Sequence, residues 1–262
     1  MTSPQHAADP VGRIAIVTGA GGEIGTAISV RLARDGWTVV VCDRDKQAAD
    51  ATATQIVTSG LAAEPYEADV TDSAQVAGLV EHTVSRYGAL GALVNNVGIE
   101  GTIQPITSYP EDVFERVMRI NVHGVFLGMR AALPVMLAAG SGAIVNTAST
   151  SAIRGRANLA GYIASKHAVL GLTKVAALEV VGTGVRVNAV LPGPIETRMI
   201  RAINEGARAL SGATGSGEVQ RAVTTQYGTV DDVAGTVAFL TSPDSRHMNG
   251  AAVVVDAGST AA

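Results

Sequence analysis

Short runs rich in Val and Ile alternate along this chain with longer stretches whose apolar positions recur at helical spacing. The runs are "RIAIVTG", "TVVVCD", "EPYEADV", "ALVNNVG", "GAIVNTAS", "VRVNAVLPG" and "AAVVVDAG"; between them lie segments such as "GTAISVRLARDG", "SAQVAGLVEHTVSRYG" and "VDDVAGTVAFLTS". A run of four to eight apolar residues bounded by turn residues reads as a buried strand, and the segments between read as amphipathic helices. Regular alternation of the two predicts right-handed βαβ units. The expected fold is a single-domain, doubly wound α/β structure, with a parallel sheet of about seven strands and helices on both faces.

The ends of these helices are punctuated. Thr71, Asp72 and Ser73 offer caps to the helix that follows, and Thr229 with Asp232 three residues on forms a capping-box pattern. Gly36, Gly88 and Gly140 follow helical runs as stop signals. One segment breaks the pattern: from Arg198 to Gly228 helical periodicity is interrupted by "SGATGSG". A Gly-rich insertion late in such a fold predicts a lid. The expected organisation is a flexible tail over residues 1–11 and one nucleotide-binding and catalytic domain over 12–262, with a lid-like insertion at about 198–228.

Composition narrows this picture. Hydrophobic residues make up 47 % but aromatics only 3 %, so the interior must be built from Ala, Val, Leu and Ile. The net charge of −4 and the scattered Lys and Arg argue against a nucleic-acid partner. The charge-free run 131–153 is broken by Pro134, Gly140, Gly142 and Asn146, so no membrane span is expected there. The one cysteine, Cys42, lies inside an apolar run and reads as a small buried hydrophobe, which fits a reducing cytoplasm. The first residues, "MTSPQHAADPVG", show no basic stretch followed by an apolar one, so no signal peptide is expected in them. The five histidines show no ligand spacing, and no metal site is expected.

Candidate chemistry begins at "TGAGGEIG", Thr18 to Gly25. A glycine-rich turn between a strand and a helix aims backbone N–H groups and the positive end of the helix dipole at an anion. Asp43 follows 24 residues after Gly19, near the offset at which a carboxylate meets the adenosine ribose of a bound dinucleotide in Rossmann-like folds. The same carboxylate would repel a 2′-phosphate, so Asp43 favours NAD over NADP; Arg44 beside it could instead accommodate that phosphate. Glu23 is the odd member of the loop, a carboxylate beside a phosphate site. It is expected either to turn away and complement the helix dipole, or to weaken NAD binding by like-charge repulsion, or to reach the cofactor ribose or an ordered water.

Further along, Tyr162 and Lys166 in "YIASK" are four residues apart, on one face of a helix. A neighbouring ammonium is expected to lower the phenol pKa and make the tyrosine a usable general acid or base.

Taken together, these features resemble the short-chain dehydrogenase/reductase family of the single-domain type, from about Gly12 to Gly258. Thr18, Gly19 and Gly25 match its T-G-x-x-x-G-x-G loop, which here also holds Gly21, Gly22 and Ile24, while Glu23 replaces the middle glycine. Asp69 and Val70 match the pair that contacts adenine, and "NNVG", Asn95 to Gly98, resembles its N-N-A-G segment. "PGPIET" resembles the segment that holds the nicotinamide, through Pro192, Gly193, Ile195 and Thr197. Asn121, Ser149, Tyr162 and Lys166 match the catalytic tetrad, with Ser149 13 residues before Tyr162.

The resemblance implies an NAD-linked oxidoreductase that interconverts a secondary alcohol and a ketone. Ser149 would hold the substrate oxygen and Tyr162 would exchange its proton. Lys166 would tune the tyrosine and bond the nicotinamide ribose, and Asn121 would hold a water leading to solvent. It also implies a homo-oligomer, with a tetramer favoured. For the substrate, Ile153, Leu159, Met199 and Ile203 beside Ser149 suggest an apolar pocket. The alternatives are a 3-oxoacyl thioester reductase preferring NADPH and, from another class, a non-catalytic NAD-binding module.

Overall fold

A computed structural model describes residues 12–211 and 227–261. The proposed tail, 1–11, and the later part of the proposed lid, 212–226, lie outside the described residues.

Seven parallel strands form one sheet in the order β3-β2-β1-β4-β5-β6-β7. They are β1 (Ile14–Thr18), β2 (Thr38–Asp43), β3 (Ala63–Glu67), β4 (Ala92–Asn95), β5 (Gly142–Thr147), β6 (Val185–Pro192) and β7 (Ala252–Val255). The helices are α1 (Glu23–Arg34), α2 (Lys46–Thr58), α3 (Ser73–Tyr87), α4 (Glu111–Met118), α5 (Gly124–Ala139), α6 (Ala160–Glu179), α7 (Arg198–Ser211) and α8 (Val230–Thr241). The seven strands match the apolar runs read from the sequence, and α1, α3, α6 and α8 match its helical segments; the start of the proposed lid is a regular helix, α7.

The two-residue period of the strands explains the two core layers. Ala15, Val17, Val39 and Val41 face α1, α2 and α8, where Ile28, Leu32, Ala53, Ile56 and Val237 meet them. Ile16, Val40 and Cys42 point the other way, to Leu79 of α3, Met129 and Met136 of α5 and Val169 of α6. Both faces are therefore apolar, which is why the strands read as continuous hydrophobic runs. Burial pushes the Cys42 thiol up to about 12, as expected of a packing residue.

Chain order reverses between β1 and β4, since β1 pairs with both β2 and β4. Strands splay there, and the crevice outside their carboxyl ends is where ligands bind in such sheets. The helix from Glu111 to Ala139 is long and apolar enough to cross a membrane by length and composition. Its inner face packs on the sheet instead, through Val125, Met129, Ala132 and Met136. Midway it carries a π-turn, Arg119–His123, a local widening that often marks a functional position.

Candidate active site

The phosphate loop is shaped by backbone need. Gly19 has φ +63°, and a Cβ on Gly25 would collide with the Gly19 carbonyl oxygen and the Ala20 Cα. Only glycine lets α1 start this close to the end of β1. Asp43 braces the loop: one carboxylate oxygen accepts from the Gly21 N–H at 3.0 Å, the other from the Asp45 N–H at 3.0 Å. Just after β4, the Asn96 side chain donates to the Gly19 carbonyl at 3.3 Å, and its N–H donates to the Thr18 hydroxyl at 3.1 Å.

Behind the loop opens a cavity of about 870 Å³. It is lined by Gly19, Asp43, Asp69 and Val70, by Gly98 beside Lys166, and by Leu159, Met199 and Ile203, which cluster against Tyr162. Ser149, Tyr162 and Lys166 line it too, as do Pro192, Gly193, Ile195 and Thr197. Glu23, Ile24, Gly22 and Arg44 complete the loop side. This space, a glycine cradle at a helix N-terminus and an acid at the end of β2 fit a dinucleotide.

Two polar groups at the centre have unused capacity. The Lys166 ammonium donates to the Thr147 carbonyl at 2.9 Å, one bond for a group with three donors. The Thr147 hydroxyl is buried with no partner.

Five sequence candidates do not line this space: Thr18, Gly21, Asn95, Asn121 and Ile153. Asn95 lies on the same face of β4 as Leu93, and donates within the core to Asn146 at 2.8 Å. Its neighbour Asn96, unremarked in the sequence, takes the loop-facing place. Ile153 is 48 % exposed after the short turn Thr150–Ala152, so it points to solvent rather than to an apolar pocket.

The amide of Asn121 is committed elsewhere. Its oxygen accepts from the Ile99 N–H at 2.8 Å, while its nitrogen donates to the Ile99 carbonyl at 2.9 Å and to Ser165 at 3.0 Å. The π-turn thus clamps the segment after β4 against α6.

The tyrosine environment corrects one expectation. Burial pushes the Tyr162 phenol above its ordinary value; its hydrogen bond with Ser149 opposes the rise and the Glu100 carboxylate adds to it. The Lys166 ammonium lies 5.6 Å from the ring centroid, over the ring. Burial in turn lowers Lys166 to about 8. Desolvation is the leading cause of both shifts.

Glu23 turns to the opposite wall. Its carboxylate accepts from the Arg198 N–H at 2.7 Å and pairs with the Arg201 guanidinium at 3.4 Å. Arg201 also meets Glu196 at 2.8 Å, and Arg198 meets Glu100 at 3.3 Å. No sequence signal linked these residues, since Glu23 and Arg198 are 175 positions apart.

Known proteins share this sequence pattern and this fold. The family model described as enoyl-(acyl carrier protein) reductase matches residues 19–260. Levodione reductase of Leifsonia aquatica is 37 % identical over 253 residues, covering 95 % of each chain. Among solved structures, an NAD+-bound xylitol dehydrogenase superposes with a TM-score of 0.87 at 34 % identity, covering 92 % of this chain and 96 % of that one. The actinorhodin polyketide ketoreductase with NADPH, in a Trp-substituted form, also has a TM-score of 0.87, at 33 % identity over 94 % and 97 % of the two chains.

Proposed function

The chain belongs to the short-chain dehydrogenase/reductase family, oxidoreductases that bind nicotinamide cofactors, and from that premise we propose that it interconverts a secondary alcohol and a ketone with NAD(H) as its coenzyme. The observation that carries the reading is the convergence of Ser149, Tyr162 and Lys166 in one cavity with a phosphate cradle and an apolar cluster. The nicotinamide supplies the hydride acceptor or donor when bound.

The protein's own residues supply the rest. Ser149 orients the substrate oxygen, and the Tyr162 hydroxyl, within the same hydrogen-bonding group, exchanges a proton with it. A phenol held high by burial suits the acid role, giving its proton to a ketone oxygen as that becomes an alcohol. In the oxidising direction the proton must leave first, so oxidation rises towards alkaline pH while reduction falls. Lys166, with donors to spare, is placed to hold the ribose and to stabilise a phenolate once Tyr162 has lost its proton.

Asp43 supports NAD over NADP: its carboxylate stands at the end of β2, with one oxygen on the Gly21 N–H of the phosphate loop, and a negative charge there would repel a 2′-phosphate. NAD pools are mostly oxidised in cells, which favours alcohol oxidation. The apolar residues Leu159, Met199 and Ile203, clustered with Tyr162, support a small or medium apolar substrate. Asn121 is a positioning residue that holds the segment after β4 in register with α6. A cytoplasmic homo-oligomer, with a tetramer favoured, completes the proposal.

A panel of secondary alcohols with NAD and with NADP, read by absorbance of the reduced coenzyme, tests it. Turnover with NAD well above NADP is expected. A strong NADPH preference with thioester substrates would favour an oxoacyl reductase, and tight NADH binding without turnover a non-catalytic module.

A further inference from the structure

Glu23 occupies the place of a glycine in the family's phosphate loop, yet its carboxylate is used on another element. It is the first residue of α1, and it accepts a 2.7 Å hydrogen bond from the N–H of Arg198, the first residue of α7. The first N–H groups of a helix have no partner within it. A carboxylate there is a charge-assisted cap, strengthened by the dipole of the helix it caps. Here the cap comes from a different helix, across the cavity mouth.

The residues around this contact make its placement consequential. Ile195 and Thr197, proposed to hold the nicotinamide, lie within three residues before Arg198, while Met199 and Ile203, which line the cavity beside Tyr162, lie within five residues after it. The base of the excursion is closed independently: the Glu196 N–H donates to Gly228 at 2.9 Å, and the Gly228 N–H donates to Pro194 at 3.0 Å. Arg198 also reaches Glu100, in the segment after β4, at 3.3 Å. The start of α7 is therefore tied to both walls of the crevice, to α1 through Glu23 and to the β4 side through Glu100.

We propose that Glu23 is a positioning residue that latches α7 over the substrate end of the cavity. The phosphate loop thereby fixes the start of α7 from a position where the family pattern has a bare glycine. Magnitude separates the two contacts of the carboxylate. The pair with Arg201 is about half exposed on both sides, 48 % and 52 %, and such pairs contribute little. The backbone hydrogen bond to Arg198 carries the effect.

Amide hydrogen exchange of the cofactor-free, full-length protein reads the latch directly, with Glu23→Gly, Glu23→Gln and Arg201→Ala compared with wild type. Glu23→Gly restores the family's residue, so the fold is not at risk. Its α7 amides should exchange roughly five- to tenfold faster, the loss expected for a removed cap, with α3 unchanged. Glu23→Gln keeps an oxygen for the Arg198 N–H and should recover most of the protection, and Arg201→Ala should stay near wild type. With saturating coenzyme, KM for a turned-over alcohol should rise by a similar factor in Glu23→Gly while kcat changes less.

Unchanged exchange in α7 of Glu23→Gly, or equal acceleration in α7 and α3, would overturn the latch. Only the kinetic arm rests on the proposed reaction. A protein inactive on every alcohol would defeat that reaction and leave the exchange result to decide the latch by itself.

Discussion

Lys166 shows the conflict between stability and chemistry at the scale of one residue. Burial lowers its pKa from 10.5 to about 8, so the ammonium is held where the fold disfavours it. Between those two values the unfolded chain binds a proton that the folded protein does not, and stability therefore rises with pH across that window. Below about 8 both states are protonated and the full penalty is in force. Above about 10 the raised Tyr162 phenol acts in the opposite sense, because the folded state then resists losing a proton that the unfolded chain gives up. The clean interval is pH 8 to 10, bounded by these two groups.

Replacing Lys166 by Met should stabilise the cofactor-free protein at neutral pH by roughly 3 kcal/mol at most, and should flatten the pH dependence over that interval while abolishing turnover. Urea midpoints at pH 7 and at the top of the interval check this. A destabilised Met variant would mean that the bond to Thr147 matters more than desolvation.

At the scale of elements, the sheet was legible and the side-chain partners were legible only in part. The inner strands β1, β2, β4, β5 and β6 announced themselves because both faces are buried, whereas the edge strands β3 and β7 are partly exposed; α8 did so because Thr229 and Asp232 spell a capping box. The structure shows both halves of that box: Thr229 accepts from the Asp232 N–H at 3.4 Å, and Asp232 accepts from the Thr229 N–H at 2.7 Å. Thr229→Ala removes one half and should lower stability by about 1 kcal/mol, read as a shifted denaturant midpoint with an unchanged slope.

What escaped the sequence has physical causes. The choice between Asn95 and Asn96 depends on strand phase at the last residue of β4, which the pattern leaves open by one position. The target of Glu23 depends on tertiary closure between α1 and α7, and local periodicity carries no trace of it. The direction of the Tyr162 shift was misjudged because spacing reveals the ammonium but not the depth of burial around it. The short helix α7 was hidden by the Gly-rich residues beyond it.

For the whole molecule, α5 and α6 leave apolar side chains on the surface. Phe126, Leu137, Val175 and Leu178 are exposed, Leu178 at 76 %. Helices with this much uncovered apolar surface, on the elements that carry or adjoin the proposed active site, support the homo-oligomer. Leu178→Glu should reduce the mass measured by light scattering to that of a smaller assembly, and an unchanged mass would place the interface elsewhere.

The account as a whole depends on one phenol, buried beside Ser149 and beneath the Lys166 ammonium. Its most direct test is turnover of Tyr162→Phe with NAD and a secondary alcohol that the wild type oxidises, alongside NADH binding by the same variant. Loss of nearly all turnover with binding retained is the predicted result. A Phe variant that kept a substantial fraction of wild-type turnover would contradict the mechanism.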